Sequence, residues 1–147
     1  MAGIDEMTDT PIGMVMSKSI EGRNGTGKPF TAIVKCWNSG RDELDIYVNW
    51  GEYLRFLTSA NMLFRFDKDK MFEVKVKPST NGMATMVQNE RDLTKLLYNL
   101  ESKNIMRVKV SNYREVSPPI AVFSLTGFVN AFKKVCEPWI KSKTSKN

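Results

Sequence analysis

Apolar and polar residues alternate along most of this chain with a period of two, which is the pattern of half-buried β-strands. In ELDIYVNW (residues 43–50) every second residue from Leu44 to Trp50 is apolar. In MFEVKVKPS (residues 71–79) the apolar series that starts at Phe72 alternates with charged residues, so one face of this strand is expected to meet water. The same period predicts further strands at residues 13–20, 29–37, 61–67, 83–87, 105–113 and 120–127.

The period changes in NERDLTKLLYNLES (residues 89–102), where four leucines are spaced as one face of an amphipathic helix. Asn89 stands at the N-cap, and acidic residues follow in the first turn, as the helix dipole favours. A second, short helix is predicted over residues 128–136 and ends before Pro138. Residues 51–60 fit either a short helix or a loop.

These elements predict a mainly β fold, either a β-sandwich or an open antiparallel barrel, with one inserted and one C-terminal short α-helix. A chain of 147 residues suits one domain, and it shows no internal repeat or linker. We divide it into a polar N-terminal lead-in at residues 1–12, a single β-rich domain at residues 13–140 and a basic, disordered tail at residues 141–147.

Gly22, Gly27 and Lys28 in EGRNGTGKPF (residues 21–30) have the spacing of a phosphate-binding loop. That loop needs a serine or threonine after the lysine and a helix that begins there. Here Pro29 follows the lysine, and FTAIVKCW is typical of a strand. Glycine and asparagine instead favour a tight connection between two strands. We therefore interpret this stretch as a hairpin loop and expect no nucleotide.

The chain has no histidine, and it has two cysteines. The absence of histidine excludes Ser-His-Asp and Cys-His catalysis and histidine-ligated zinc. Two cysteines are too few for a four-thiolate zinc site within one chain. Carboxylates such as Asp67 and Asp69 lie in a segment typical of a solvated turn. We expect no catalytic residue, no cofactor and no metal. No apolar run approaches the ~20 residues that span a bilayer.

The two cysteines leave two interpretations open. Cys36 lies near the end of a predicted strand, and Cys136 lies at the end of the second predicted helix. Buried free thiols are common because cysteine packs as a small hydrophobe. A disulfide between these residues would pin the helix to the sheet and would indicate an oxidising compartment. Composition alone favours neither interpretation.

Short segments along the chain form an ordered series: DEMTDT, AIVKC, ELDIYVNWGEYL, MLFRFD, GMATMV, LTKLLYNL, IMRVKVSNY and FSLTGFVNAFKKVCEPW. The residues that define the last segment are Phe123, Leu125, Gly127, Ala131, Cys136 and Trp139, with one extra residue between the cysteine and the tryptophan. In this series the chain resembles the type VI secretion-associated VasI family of small bacterial envelope proteins and its relatives. The resemblance covers most of the chain.

The resemblance implies a periplasmic or secreted β-rich domain with a disulfide between Cys36 and Cys136, and it implies no known catalytic site. The start of the chain, MAGIDEMTDTPIG, has neither the basic nor the apolar region of a signal peptide. A periplasmic or secreted location therefore assumes that a signal peptide has been removed, and a cytoplasmic location is the alternative.

We expect a non-enzymatic protein of the bacterial envelope that binds a protein partner, either in association with secretion or as an inhibitor of a secreted enzyme. The alternative is a small basic β-barrel that binds single-stranded nucleic acid, because a net charge of +6 fits such modules. Its aromatic candidates are Tyr47, Tyr53, Phe64, Phe66 and Tyr113. Strand alternation offers a simpler account of the lysines and arginines, namely that they face water.

The candidate binding residues are Trp37, Trp50, Arg65, Lys75 and Lys77. The three basic residues lie on predicted solvent faces, and the tryptophans lie at or near the ends of predicted strands. Trp37 directly follows Cys36, so packing in the core is favoured for its side chain over contact with a partner.

Overall fold

Nine strands and two helices are formed by the residues that this computed structural model describes, which are 2–5, 10–38, 42–52, 56–113, 120–137 and 140. The strands are β1 (Ala2–Asp5), β2 (Thr10–Arg23), β3 (Pro29–Asn38), β4 (Asp42–Asn49), β5 (Phe56–Phe66), β6 (Phe72–Pro78), β7 (Ala84–Val87), β8 (Ile105–Tyr113) and β9 (Ile120–Ser124). The helices are α1 (Glu90–Ser102), between β7 and β8, and α2 (Phe128–Val135), after β9.

The described strands pair in the order β1-β2-β3-β4-β7-β6-β5-β8-β9, and every pairing is antiparallel. Because β2 also pairs with β9, the eight strands β2 to β9 close into a barrel, and β1 adds to the first residues of β2. The predicted mainly β fold with one inserted and one C-terminal helix is confirmed. Of the two architectures expected, the chain forms the barrel, and the barrel is closed rather than open.

One residue pair, Glu21 with Val122, joins β2 to β9 within the described residues. Gly22 permits this approach, because a Cβ at this position would lie 2.1 Å from the carbonyl oxygen of Ile120. Gly22 also has a φ of +91°, which glycine adopts without strain. The hydroxyl of Ser19 donates to the carbonyl oxygen of Gly22 at 3.0 Å and accepts from a backbone N–H of β3 at 2.9 Å. These bonds hold the irregular part of β2 that closes the barrel.

Inward-facing side chains fill the barrel. In β6, Val74 and Val76 are buried and Lys75 is exposed, as the alternation predicts. The rings of Phe30 and Trp50 meet edge to face, with centroids 4.9 Å apart, at the end of the barrel that carries the β2–β3 turn. The largest fully buried side chains are Phe30, Val48, Trp50, Met62, Phe64, Phe66, Val74, Leu96, Val108, Val110 and Phe123.

Both helices lie at the other end of the barrel, because β7 and β9 end there and β8 begins there. Helix α1 begins as predicted, since the side chain of Asn89 accepts a hydrogen bond from the backbone N–H of Asp92 at 2.8 Å. Its buried leucines and the buried Phe128 and Phe132 of α2 belong to the barrel core. The core therefore continues beyond the strands into the layer formed by the helices.

The glycine-rich stretch forms the β2–β3 turn, as predicted. The side-chain oxygen of Asn24 accepts from the backbone N–H groups of Thr26 (2.9 Å) and Lys28 (3.1 Å). The backbone N–H of Gly25 donates to the carboxylate of Glu52 at 2.9 Å, and a strand follows the turn. A phosphate-binding loop needs amides that are open to the ligand and a helix that follows. This turn has its own carboxylate and no such helix.

Two boundaries differ from those predicted. The lead-in at residues 1–12 contains β1 and the first residues of β2, which pair in a register that sets Ala2 opposite Gly13. The ambiguous segment 51–60 contains the start of β5 at Phe56. The tail predicted at residues 141–147 lies outside the described residues.

Candidate functional site

A disulfide joins Cys36 in β3 to Cys136, the residue that follows α2. The two Cα atoms lie 6.0 Å apart, and both side chains are buried. The sulfurs meet because β3 ends at the end of the barrel that α2 covers. The disulfide that the resemblance implies is therefore confirmed, and it fastens the last helix to the barrel wall.

The last turn of α2 packs directly on the main chain of β2. Gly13 is buried at this contact, and a Cβ there would lie 2.1 Å from the carbonyl oxygen of Val135 and 2.8 Å from the Sγ of Cys36. Any side chain at this position would therefore push the helix away. No local pattern indicates this role, because Gly13 begins a predicted strand and does not stand at a turn.

A cavity of about 180 Å³ lies inside the barrel next to α2. Val15, Val34 and Ile46 line it from β2, β3 and β4, and Phe64 and Phe123 line it from the opposite wall. The other apolar and aromatic residues that line it are Met16, Ala32, Ile33, Tyr47, Val48, Leu100, Met106, Leu125, Phe128 and Ala131. The cavity is therefore an apolar chamber between the barrel wall and the two helices.

The cavity exists because β9 ends at Ser124, whereas β2 extends to Thr10 at the end covered by the helices. On this edge of β2, β1 pairs with residues 10–13 and β9 pairs with Glu21. No described strand pairs on this edge with the part of β2 between them, and the start of α2 lies there. The exposed Thr126 lines the cavity, so the cavity reaches the surface there. The hydroxyls of Ser124 and Thr126 are hydrogen-bonded at 3.2 Å, and Ser17 lines the cavity across from them. Hydroxyl groups thus form the rim of an apolar chamber.

Four apolar side chains and one lysine form a continuous row on the outside of the barrel. By register, Met16 of β2 lies beside Ile33 of β3, and Ile33 lies beside Tyr47 of β4. Tyr47 lies beside Met86 of β7, and Met86 lies beside Lys77 of β6. We call these five residues the outer row. Its Met16 is 57% exposed, so part of an apolar row faces the solvent.

The outer row has a poorly hydrated centre. Ile33 is only 7% exposed although it faces outwards. Burial raises the pKa of Tyr47, and the negative charge of Asp45 adds to this effect. Burial also raises the pKa of Asp45 itself, an effect that Lys35 opposes and Glu43 reinforces. Lys35 and Asp45 are cross-strand partners, so a charged pair flanks the row.

The structure separates the three predicted basic residues, all of which are exposed. Arg65 lies opposite Arg107 of β8, and its Nε donates to the carbonyl oxygen of Asp69 at 3.1 Å. The β5–β6 register sets Lys75 two side-chain rows and Lys77 three rows away from Arg65. At about 6.6 Å per row, Arg65 and Lys77 are ~20 Å apart. They cannot hold one small ligand together, and only Lys77 belongs to the outer row.

Trp50 is fully buried, and its indole N–H donates to the hydroxyl of Thr85 at 3.0 Å. Its side chain has no surface with which to contact a partner, so the expectation that Trp50 is a binding residue is wrong. The alternation of residues 43–50, which points Trp50 inwards, is the stronger signal. Trp37 lies in β3, but its side chain lies outside the described part of the structure. Its role stays a prediction.

The aromatic residues considered for base stacking do not form a surface. Phe64 and Phe66 are buried, and their rings stack in the core with centroids 6.3 Å apart. Tyr47 is part of the outer row, on the other side of the barrel from Arg65. Tyr53 and the side chain of Tyr113 lie outside the described residues. Stacking on Phe64 or Phe66 would require the core to open.

The charged turn after β5 is built from contacts within the protein. The carboxylate of Asp67 accepts from the backbone N–H groups of Asn104 (3.1 Å) and Ile105 (2.9 Å), and Asp69 pairs with Lys103 at 3.0 Å. Among the described residues, no group of three or more Asp, Glu, Cys or His side chains could hold a metal ion. Within the same part of the chain, no helix is long and apolar enough to cross a membrane.

No protein-family model matches this chain, and no curated protein matches its sequence. A solved structure with a similar fold is the crystal structure of invasion associated protein B from Bartonella henselae. The two have a TM-score of 0.56 at 13% identity, over 92% of this chain and 90% of that chain. At this identity the likeness shows a shared fold. The resemblance to the VasI family stays a prediction.

Proposed function

We propose that this chain is a non-enzymatic binding domain of the bacterial envelope, which acts outside the cytoplasm and recognises a protein partner through the outer row. The observation that carries the proposal is the row itself, in which the exposed Met16 and the half-buried Tyr47 and Met86 surround the buried Ile33 across four strands. The outside of a barrel in water is normally polar at such positions. Tyrosine and methionine are enriched at protein interfaces, and methionine adapts to the shape of a partner.

The disulfide between Cys36 and Cys136 supports a location outside the cytoplasm, because cytosolic thiols are kept reduced. The name of invasion associated protein B, which shares the fold, is compatible with a non-enzymatic bacterial protein. We propose the periplasm or the secreted fraction as the location. Within it, we propose a role in secretion or in the inhibition of a secreted enzyme.

Charge indicates the kind of partner. Lys77 ends the outer row, Lys35 beside the row is balanced by its cross-strand partner Asp45, and the chain has a net charge of +6. An apolar patch with an acidic rim would complement this surface, since complementary charges increase the rate and the specificity of association.

The test places a photo-crosslinking amino acid at Met16 in the native cell. The matched control places it at Ile120, which is similarly exposed (52%) and lies on β9, away from the row. The protein captured from position 16 is then purified and titrated with the wild-type chain, Met16→Asp and Ile120→Asp. We expect Met16→Asp to weaken binding by about tenfold or more, because it would bury a charge in an apolar contact, and Ile120→Asp to leave it unchanged.

Equal crosslinking from both positions, or unchanged binding by Met16→Asp, would contradict the outer row as the interface. Location is tested separately by adding a thiol-alkylating reagent to denatured protein from native cells. We expect both cysteines to resist alkylation until they are reduced. A titration with single-stranded DNA at several salt concentrations tests the alternative function. Tight binding that falls steeply with salt would favour nucleic acid over a protein partner.

A further inference from the structure

We propose that the cavity beside α2 is a binding site for a small, neutral, apolar molecule, such as an aromatic ring or a short alkyl chain that carries one hydroxyl or N–H group. This activity goes beyond recognition of a protein partner. Most of the lining residues belong to the inside of the barrel and to the two helices, and Met16, Ile33 and Tyr47 of the outer row also line the cavity.

The size of the cavity sets the size of the ligand. Its volume of about 180 Å³ exceeds that of an engineered protein cavity of about 150 Å³ that stays dry and binds benzene. One aromatic ring, or a fused pair such as indole, is therefore of a suitable size. A folded lipid or a nucleotide is too large.

The walls select an apolar ligand. Among the residues that the structure describes, no charged one lines the cavity, so a carboxylate or an ammonium group would be buried there without a partner, which is costly. Water is also held poorly in such a space, because it needs two to four polar partners. Phe64, Phe123 and Phe128 line the cavity, so a ligand with apolar atoms would gain dispersion contacts with aromatic side chains.

The rim adds one polar requirement. The hydroxyls of Ser17, Ser124 and Thr126 line the cavity where it approaches the surface. The hydroxyl of Ser124 also accepts from the backbone N–H of Thr126 at 3.3 Å. A hydroxyl or N–H group at one end of the ligand would have a hydroxyl partner here while the rest of the molecule stays in the apolar chamber.

The cavity is preformed because α2 is held in place and cannot move inwards to fill it. Phe128 and Phe132 anchor the helix in the core, and the Cys36–Cys136 disulfide holds its end. The contact between Val135 and Gly13 sets how closely the helix approaches β2. A helix held at its end and along its buried face keeps the space open, and a preformed site loses little conformational freedom on binding.

The test titrates the oxidised protein with indole and with benzyl alcohol, and it follows the binding by calorimetry and by amide NMR shifts. Ala131 is half-buried on α2 and lines the cavity, so Ala131→Leu fills the space. The matched control is Ala84→Leu, because Ala84 is half-buried in β7 and does not line the cavity. We expect saturable binding by the wild type and by Ala84→Leu, with shifts around α2, and affinity reduced at least tenfold in Ala131→Leu.

Two results would overturn the proposal: no saturable binding of either probe by the wild type, or equal binding by Ala131→Leu and Ala84→Leu. Near-UV circular dichroism verifies that each variant is folded. If Ala131→Leu does not fold, Ala32→Val fills the same cavity from β3 and replaces it in the comparison. The two failures can be told apart, because the outer-row test measures a complex with a captured protein, whereas this test measures the binding of a small probe and its loss on a substitution in α2.

Discussion

The indole N–H of Trp50 donates to the hydroxyl of Thr85 at 3.0 Å, and this hydroxyl lies 3.1 Å from the Sδ of Met62, to which it donates in turn. All three side chains are fully buried. Tryptophan can be placed in a core only where its N–H finds an acceptor. Thr85 is that acceptor, and the bond links the end of β4 to β7 through side chains.

Replacing Thr85 by valine keeps the shape of the side chain and removes the acceptor. We expect Thr85→Val to lower the free energy of unfolding by about 1 to 3 kcal/mol, because the indole N–H stays buried and unpaired. Urea unfolding of Thr85→Val, Trp50→Phe and the double variant measures the coupling. Thr85→Val should cost less in the Trp50→Phe background. Equal costs in both backgrounds would mean that the hydrogen bond contributes nothing.

Adding a methyl group at Gly13 forces α2 away from β2, because the new Cβ would lie 2.1 Å from the carbonyl oxygen of Val135. We expect Gly13→Ala to lower the free energy of unfolding by about 1 to 3 kcal/mol or more. The control is Gly25→Ala, whose Cβ would meet only the end of the flexible Glu52 side chain, at 2.9 Å. Thermal unfolding compares the two variants. Similar losses in both would refute a special role for Gly13.

Removing the disulfide increases the conformational entropy of the unfolded chain. Cys36 and Cys136 are 100 residues apart in sequence, and closing a loop of this length contributes about 4 to 5 kcal/mol in the chain-entropy model. We expect the double variant Cys36→Ala/Cys136→Ala to lose stability by up to this amount against the oxidised wild type in urea. The wild type in reducing agent should match the double variant. Equal stability of the oxidised wild type and the double variant would contradict this account.

At neutral pH, we expect the charged Asp45 to make the protein less stable than an uncharged asparagine at the same position would. Burial raises its pKa in the folded state above 3.8, so its stabilising contribution is present below about pH 3.8 and is lost as the pH rises through the folded pKa. We expect Asp45→Asn to be more stable than the wild type at pH 7, with the difference falling towards pH 3. Urea unfolding at both pH values measures this. A less stable variant at pH 7 would show that attraction to Lys35 outweighs burial.

Much of the fold can be predicted from the sequence because its causes lie within a few residues. Alternation predicts which side of β6 is buried, and the Asn89 cap predicts where α1 begins. Closure of the barrel depends on Glu21 meeting Val122, which is far away in the sequence, and no local pattern indicates that pairing. For this reason a sandwich, an open barrel and a closed barrel all fit the same predicted strands.

The candidate site is less accessible to sequence reasoning. The outer row depends on the register of five strands, so the neighbours of Lys77 emerge only once β6, β7 and β4 are paired. The cavity arises where β9 ends and β2 continues past it, so it depends on the relative lengths of two strands. For Trp50 the local sequence was sufficient, because the alternation of residues 43–50 places its side chain inside. The prediction of a binding role followed its residue type instead.

The disulfide also makes most of the molecule one covalent ring. Strands β4 to β9 and both helices lie between Cys36 and Cys136 along the chain. A protease that cuts one peptide bond within this ring releases no fragment, because both new ends stay attached through the sulfurs. The cut appears only after reduction, as two bands on a gel where there was one. A protein built in this way can suffer a single nick in an exposed turn and still remain one molecule.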